Sequence, residues 1–252
     1  MCGFAGFLTA NTVSVDCHAA LAMTDADTMT VVATRMAQAI VHRGPDDAGA
    51  WADAQAGIAL GFRRLSIVDL SVAGHQPMHS ASGRYVITFN GEIYNHLELR
   101  AELPGLVWRG HSDTETLLAA FEAWGVEETL KKTAGMFAIA LWDTQTRTLH
   151  LARDRFGEKP LYYGWVGSGA NAAFVFGSEL KALRAYPGFA NQVSREALAL
   201  YMRFTYVPAP YSIYQSIFKL EPGCVLTFTG HCERSEAIHE IRKSWTAALC
   251  SQ

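Results

Sequence analysis

The sequence predicts an α+β domain with two antiparallel sheets, and three observations support this fold class. Residues 2–9 alternate weakly, as a strand does. Apolar residues at helical spacing in 31–42 predict a helix. Short apolar segments bounded by Gly, Ser or Pro form two groups, and each group is expected to build one sheet. The first group lies at 57–62, 64–69 and 84–90, and the second, a meander, lies at 135–143, 148–154, 160–165 and 172–177.

Local signals place further elements along the chain. Ser112-Asp113-Thr114-Glu115 has the capping-box pattern, which puts Asp113 in the first turn of a helix, near its positive end. Another helix is predicted over 194–204 and a last strand over 224–229. Asn90-Gly91 is the strongest turn signal in the chain, and a catalytic use of the same dipeptide competes with a plain hairpin.

The chain changes character after Gly230. Residues 231–252 are polar and charged, with apolar residues at helical spacing. These apolar residues are Ile238, Ile241, Trp245 and Leu249. The segment is predicted to be either one amphipathic helix or a tail outside the domain, and both interpretations remain open.

Composition argues against several classes of partner. The chain has 252 residues, half of them apolar, and a net charge of −3. It therefore has enough apolar material for a large core and no basic field to attract nucleic acid or a membrane surface. No apolar run reaches the roughly 18 residues needed to cross a bilayer, so a cytoplasmic location is expected.

The cysteines and histidines give no signal for a metal site. The cysteines are widely spaced and are expected to be free thiols. They are Cys2, Cys17, Cys224, Cys232 and Cys250. His75 and His79 are separated by Gln76-Pro77, which favours a turn over a pair of ligands. No metal is expected in this chain.

Cys2 is a candidate nucleophile because removal of Met1 would leave a thiol and an α-amine on one residue. An α-amine has a pKa of about 7.7–8, which suits it to take a proton at neutral pH. The same arrangement activates N-terminal threonine nucleophiles. A small residue in second position is also common in proteins without any catalytic role, so the assignment depends on other residues.

Several charged or glycine-containing motifs follow in order. They are His42-Arg43-Gly44-Pro45-Asp46, Arg64-Leu65-Ser66-Ile67-Val68-Asp69, Asn90-Gly91-Glu92-Ile93-Tyr94-Asn95, Ser112-Asp113-Thr114-Glu115, Gly135-Met136-Phe137-Ala138, Arg153-Asp154-Arg155-Phe156-Gly157 with Lys159-Pro160-Leu161, and Ser178-Glu179-Leu180-Lys181-Ala182-Leu183. With these motifs, residues 2–229 resemble the glutaminase domain of class II glutamine amidotransferases, in particular the glutamine-hydrolysing asparagine synthetases. The resemblance implies an N-terminal-nucleophile hydrolase fold, a four-layer αββα sandwich of two antiparallel sheets.

The resemblance also implies roles for individual residues. Cys2 would attack the side-chain amide of glutamine, and Asn90 and Gly91 would hold the oxyanion. Arg64 would bind the α-carboxylate of glutamine and Asp113 its α-ammonium group. The other substrate-binding positions that the resemblance implies are Leu65, Ser66, Ile67 and Val68 on the carboxylate side and Glu92 near the ammonium group.

Three charged features beside these positions are interpreted differently. Strand alternation puts Arg63 and Arg64 on opposite faces, so only one of them can line the pocket, and the family motif selects Arg64. The motifs His42-Arg43-Gly44-Pro45-Asp46 and Arg153-Asp154 are interpreted as structural, with buried Arg–Asp pairs that lock loops.

The expected function is hydrolysis of glutamine to glutamate and ammonia, as the ammonia-supplying half of an asparagine-synthetase-type enzyme. The Ser-Gly-Gly-x-Asp-Ser loop that opens the ATP-pyrophosphatase domain of full-length asparagine synthetases is absent from the sequence. ATP and Mg²⁺ are therefore expected only on a separate synthetase domain or subunit, and 230–252 is expected to be a divergent tail.

Alternative functions remain open. One is an amidotransferase that serves another acceptor, such as a sugar acid in surface-polysaccharide synthesis. Another is a non-catalytic remnant or a glutamine-binding module. Glutamine is the expected ligand in each case, and the protein partner is expected to be a synthetase subunit or a second copy of the chain.

The first prediction is that this chain alone makes no asparagine from aspartate, glutamine and ATP. Activating the β-carboxylate of aspartate requires a phosphate-binding loop and carboxylates for Mg²⁺, and no segment of the sequence matches such a loop. Mass spectrometry should detect asparagine only after a synthetase subunit is added. Micromolar ATP binding by calorimetry, or asparagine formed by the chain alone, would contradict this expectation.

Overall fold

The computed structural model describes residues 1–9, 25–66, 71–229 and 240–242, and these residues form four layers. Two six-stranded antiparallel sheets stack face to face, and helices cover both outer faces. This arrangement confirms the αββα sandwich implied by the resemblance. Within the described residues, no helix combines the length and apolar composition that crossing a bilayer requires.

Each sheet contains strands from distant parts of the sequence. The strands are β1 (Gly3–Thr9), β2 (Asp47–Asp53), β3 (Ile58–Arg64), β4 (Met78–His79), β5 (Tyr85–Ile93), β6 (Gly135–Asp143), β7 (Thr148–Arg153), β8 (Tyr162–Val166), β9 (Ala173–Gly177), β10 (Ile217–Lys219), β11 (Val225–Thr229) and β12 (Glu240–Arg242). Sheet A has the order β10-β8-β9-β1-β3-β2, and sheet B has the order β12-β11-β7-β6-β5-β4. The helices are α1 (Ala26–Gln38), α2 (His96–Ala101), α3 (Asp113–Trp124), α4 (Val126–Lys132), α5 (Leu180–Arg184) and α6 (Arg195–Phe204).

The main core fills the space between the two sheets. Alternate residues of β1 and β3 face this space, among them Phe4 and Phe62. The rings of Phe174 from sheet A and Phe228 from sheet B stack with their centroids 4.8 Å apart. Because aromatic side chains bury large apolar areas, this layer holds β1 and β3 against β5.

The outer face of sheet A is closed by α1. Ala5 and Phe7 pack in the same cluster as the buried residues of this helix. Gly61 permits the close approach, because a Cβ atom at this position would lie 2.3 Å from the carbonyl oxygen of Ala33. Both faces of β1 are therefore apolar, which explains why the alternation in residues 2–9 is weak.

The predicted strands and helices are mostly present, but the predicted grouping into sheets is wrong. The segments at 57–62 and 84–90 lie in different sheets, in β3 and β5. The meander is also divided, since β6 and β7 belong to sheet B while β8 and β9 belong to sheet A. Many of these strands are buried on both faces, so the polarity pattern of a segment does not identify the sheet that it joins.

The predicted turn at Asn90-Gly91 is also wrong. Both residues lie inside β5, paired with Ala138 and Phe137 of β6. A Cβ atom at position 91 would lie 2.2 Å from the carbonyl oxygen of Met136, so this glycine serves a close contact between strands. The strand predicted over 64–69 is wrong in its first part, because β3 ends at Arg64 and the next two residues are irregular, while 67–69 lie outside the described residues.

Other boundaries differ from the predictions. The helix predicted over 31–42 begins earlier, at Ala26, where the Asp25 side chain accepts the Thr28 N–H, and it ends at Gln38. One continuous helix over 231–252 is contradicted by β12, which pairs with β11. The remainder of that segment lies outside the described residues, as do Cys17, Cys232 and Cys250.

The cap of α3 and two free thiols agree with the predictions. The Ser112 hydroxyl accepts the Glu115 N–H at 3.2 Å. Glu115 does not complete the capping box, because its carboxylate accepts the N–H groups of Arg109 and Gly110. Cys2 and Cys224 carry thiols that are not joined in a disulfide.

The Arg153-Asp154 motif locks a loop, but by different bonds from those predicted. The fully buried Asp154 carboxylate accepts the backbone N–H groups of Phe137, Phe156, Glu158 and Lys159. The Arg153 guanidinium donates to the carbonyls of Gly157, Lys159 and Leu220. The two side chains therefore fix one loop through its backbone.

The second prediction concerns this loop. Asp154→Ala should lower the free energy of unfolding by on the order of 3 kcal/mol, because several buried N–H groups lose their acceptor at once. Asp53→Ala is the control, since Asp53 accepts the N–H groups of Gln55 and Ala56 in a partly exposed turn where water can replace it. That variant should lose about 1 kcal/mol or less. Equal losses in urea unfolding would contradict the role assigned to Asp154.

Candidate active site

Cys2 immediately precedes β1 and faces the space between the sheets. It packs against the inter-sheet core, on the same face as Phe4. Its Sγ lies 3.4 Å from the backbone nitrogen and 3.5 Å from the carbonyl oxygen of Leu65. Burial raises the pKa of the Cys2 thiol, although the Leu65 hydrogen bond, the N-terminal charge and Arg64 oppose this effect. The thiol therefore needs a base to become a thiolate near neutral pH.

Arg64, at the end of β3, shares this inner face. Leu60 and Phe62 precede it at the strand period and belong to the inter-sheet core. The Arg64 side chain is buried, and its Nη1 donates to the carbonyl of Ser71 at 2.9 Å. Arg63 points to the opposite face and donates to the carbonyl of Gly44 at 2.8 Å. The predicted division between the two arginines is therefore present.

Asn90 brings a hydrogen-bond donor from sheet B to the same space. It pairs with Ala138, whose side chain belongs to the inter-sheet core, and residues opposite each other in a sheet share a face. The Asn90 side chain is 1% exposed, and its Nδ2 is buried without a hydrogen-bond partner among the described residues. Buried amide groups are usually bonded, so this donor is available to a ligand.

The edge of β5 that faces away from β6 contributes backbone N–H groups. The Phe89 N–H donates to Oε1 of Gln76 at 2.7 Å, and the Ile93 N–H donates to Oδ2 of Asp113 at 2.9 Å. Successive N–H groups along a strand point to alternate edges. The Gly91 N–H therefore points to the same edge, between these two anchored positions.

Asp113 places a buried carboxylate beside this edge. It is the first residue of α3 and is 5% exposed. Burial raises the pKa of the Asp113 carboxyl, although the N–H groups of Ile93 and Thr114 oppose the shift. Glu92 also raises this pKa by its charge, so a second acidic group lies nearby. Both Arg64 and Asp113 act electrostatically on the Cys2 thiol, which places a cation and an anion near the candidate nucleophile.

Arg43 has the structural role predicted for its motif, but it acts on the backbone of Cys2, a contact that the sequence interpretation did not identify. Its Nε donates to the carbonyl of Cys2 at 3.0 Å, and its Nη1 donates to Oε1 of Glu179 at 2.9 Å. His42 and Lys181 also contact the Glu179 carboxylate. The predicted Arg–Asp pair in this motif is therefore wrong, because the partner is a glutamate more than a hundred residues away. Arg43 holds the residue that carries the candidate nucleophile.

The other predicted positions have varied surroundings. Leu65 contacts the Cys2 sulfur, and the Ser66 N–H donates to Asp46 at 2.8 Å. Glu92 is exposed at the rim, and Ile67 and Val68 lie outside the described residues. In the part of the chain that the structure describes, no group of three His, Cys, Asp or Glu side chains could hold a metal ion.

A cavity of about 490 Å³ lies elsewhere, between α6 and sheet A. Leu198, Tyr201 and Val207 line it, with Lys219 as its charged group. Cys2 is not among the residues that line this cavity. The thiol chemistry therefore points to the space around Cys2 and not to this cavity.

Comparison with known proteins identifies the domain family of the chain. A family model described as a glutamine amidotransferase domain matches residues 1–237. Asparagine synthetase 1 (glutamine-hydrolysing) of Bacillus subtilis is 43% identical over 195 residues, which are 77% of this chain and 29% of that protein. A Mycobacterium bovis protein provisionally named glutamine-hydrolysing asparagine synthetase is 40% identical over 234 residues, which are 89% of this chain and 34% of that protein. The chain spans about a third of the length of these curated relatives.

Solved structures with low sequence identity share the fold. The glutamine phosphoribosylpyrophosphate amidotransferase of Bacillus subtilis matches with a TM-score of 0.61 at 17% identity, over 90% of this chain and 47% of that chain. The fold is therefore that of the N-terminal-nucleophile amidotransferases. Since the family model covers all but the last residues of the sequence, the chain belongs to the glutamine amidotransferase domain family.

Proposed function

We propose that this domain hydrolyses glutamine to glutamate and ammonia, with Cys2 as the nucleophile after removal of Met1. The observation that carries the proposal is the buried Nδ2 of Asn90, a donor without a partner among the described residues, on the same inner face as Cys2. A preorganised donor beside a thiol is what an acyl-transfer site requires, because it stabilises the negative charge that develops on the attacked carbonyl oxygen.

The reaction follows from the chemistry of these groups. The α-amine of Cys2 takes the thiol proton, and the sulfur attacks the side-chain carbonyl carbon of glutamine. Asn90 Nδ2 and the Gly91 N–H donate to the oxyanion, an interaction worth about 2.7–4 kcal/mol per donor in a comparable hydrolase. The amine returns its proton to the leaving nitrogen, which departs as ammonia. Water then cleaves the thioester and releases glutamate.

Recognition of glutamine is assigned to the two opposite charges beside Cys2. Arg64 binds the α-carboxylate by charge-assisted hydrogen bonds, and Asp113 binds the α-ammonium group, with Glu92 as a second acidic group at the rim. Leu65 and Ser66 are proposed to line the carboxylate side of the pocket, and the same role is proposed for Ile67 and Val68. The separation of the two charges selects an amino acid whose amide reaches the sulfur.

We propose asparagine-synthetase-type chemistry as the destination of the ammonia. The names of the relatives in Bacillus subtilis and Mycobacterium bovis support this acceptor. ATP and Mg²⁺ would then bind to a synthetase domain or subunit. The Asn90 side-chain amide favours a catalytic domain over a module that only binds glutamine. Its Nδ2 has no hydrogen-bond partner among the described residues, and glutamine binding alone would not require such a donor on the same face as a thiol.

The third prediction concerns the nucleophile. Cys2→Ala should lower glutamine hydrolysis by at least about a thousandfold without changing the fold. An N-terminal extension that survives processing should do the same, because it converts the α-amine into an amide. Cys224→Ala is the matched control and should retain activity, since Cys224 lies in the inter-sheet core. Wild-type rates of glutamate release by the tagged or Cys2→Ala protein would refute the mechanism.

The fourth prediction concerns substrate recognition. Arg64→Ala removes a charge-assisted contact worth about 1.5–3 kcal/mol, so kcat/KM for glutamine should fall by roughly 10- to 150-fold. Arg63→Ala should have a much smaller effect, because Arg63 lies on the opposite face of β3. Steady-state kinetics with free glutamine measures both variants. Equal losses would show that Arg64 does not bind the substrate.

A further inference from the structure

Gln76 connects the strand that carries the oxyanion donors to the helix that carries Asp113. Its Oε1 accepts the Phe89 N–H at 2.7 Å, and its Nε2 donates to the Thr114 hydroxyl at 3.3 Å. Phe89 directly precedes Asn90, and Thr114 directly follows Asp113. One side-chain amide therefore bonds to the neighbours of two proposed site residues.

The bond to Phe89 replaces a missing strand contact. β4 contains only Met78 and His79, which pair with Ile87 and Val86, so it does not extend along β5 to Phe89. Without another acceptor, the Phe89 N–H on this edge of β5 would have no hydrogen-bond partner just before the residues of the site. The Gln76 side-chain oxygen accepts the Phe89 N–H, as the backbone carbonyl of a longer β4 would. This bond lies immediately before Asn90 and Gly91.

The backbone of Gln76 is itself held by sheet A. Its carbonyl oxygen lies so close to β2 that a Cβ atom on Gly49 would be 2.0 Å from it. The preceding residue, His75, bonds through Nδ1 to the Asp47 carboxylate at 2.7 Å. Gln76 is 5% exposed, so its amide has little freedom to exchange these partners for water. The residue reaches from sheet A to both β5 and α3.

The spacing along β5 shows what this contact controls. The Gly91 N–H and the Ile93 N–H, which holds Asp113, are two residues apart, or about 6.8 Å along a strand. The oxyanion donor and the ammonium-binding carboxylate are thus positioned from one strand edge. Gln76 bonds close to both groups. It accepts the Phe89 N–H two residues before the oxyanion donor Gly91, and it donates to Thr114, which directly follows Asp113.

We propose that Gln76 is a positioning residue that sets the distance between the oxyanion donors and Asp113, and thereby matches the site to the length of glutamine. The role rests on the proposed function. An amide suits it because one group supplies an acceptor for a backbone N–H and a donor for a hydroxyl. A displacement of about 1 Å at a catalytic centre lowers rates by about a hundredfold.

The test replaces Gln76 by residues of similar size. Gln76→Met removes both bonds and should lower kcat for glutamine by about 10- to 100-fold. Gln76→Glu retains an acceptor for the Phe89 N–H and an oxygen for the Thr114 hydroxyl, so it should recover most of that loss. Thr114→Val leaves the bond to β5 in place and should raise KM more than it lowers kcat. Gln145→Met, in an exposed turn, is the control for the substitution itself.

A second readout separates positioning from a general loss of structure. Alkylation of Cys2 by iodoacetamide should proceed at the wild-type rate in Gln76→Met. Inactivation by a glutamine analogue with a chloroketone in place of the amide should slow by about 10-fold or more, because it requires the aligned site. If Gln76→Met does not fold, Thr114→Val gives the same comparison of the two reagents, and Gln76→Glu, which should react nearly as the wild type does, is its control.

The outcomes distinguish this inference from the proposed function. If the wild-type protein releases glutamate and ammonia while folded Gln76→Met retains kcat, KM and the analogue rate, the role of Gln76 is refuted and the proposed function stands. Equal slowing by both reagents would also refute it, since that indicates a structural loss around Cys2. A processed wild-type protein that releases neither product would contradict the proposed function, and the role of Gln76 with it.

Discussion

The packing of β1 and β3 against β5 is the contact on which the rest of the site depends. Apolar side chains on the facing surfaces of the two sheets bury one another, and strand alternation then decides which polar groups share those surfaces. The side chains of Cys2, Arg64 and Asn90 point to the inner faces of the sheets, as do the buried core residues at alternate positions. Cys2 and Arg64 lie at the ends of the apolar runs of β1 and β3, where the core gives way to polar groups.

Burial of polar groups at this place has a chemical consequence. The thiol of Cys2 is less acidic than a free cysteine, and the carboxyl of Asp113 is less acidic than a free aspartate, because each is removed from water. The Nδ2 of Asn90 is buried without a partner among the described residues. Such groups cost stability on folding and interact strongly with a substrate that satisfies them. The well-packed sheets around them offset that cost.

Supporting side chains connect the site to distant parts of the chain. Arg43, which is bonded to Glu179, holds the carbonyl of Cys2, Gln76 supports β5, and Asp154 fixes the loop after β7. Several of these residues belong to motifs that attract attention in the sequence because they are charged. Their partners are mostly backbone groups, which carry no signature in the sequence, and this explains why the predicted Arg–Asp pairs are absent.

The sequence by itself determined many of the elements and the faces on which several polar side chains lie. Polarity periods located most of the strands and the three longest helices, the capping residue Ser112 placed Asp113 on its helix, and alternation separated Arg63 from Arg64. Only the tertiary structure decided which sheet each strand joins, that Asn90 and Gly91 lie within β5, and that Arg43 contacts Cys2. The physical reason is the range of the interactions. Periodicity and capping act over a few residues, whereas strand pairing and buried polar contacts join residues far apart in the chain.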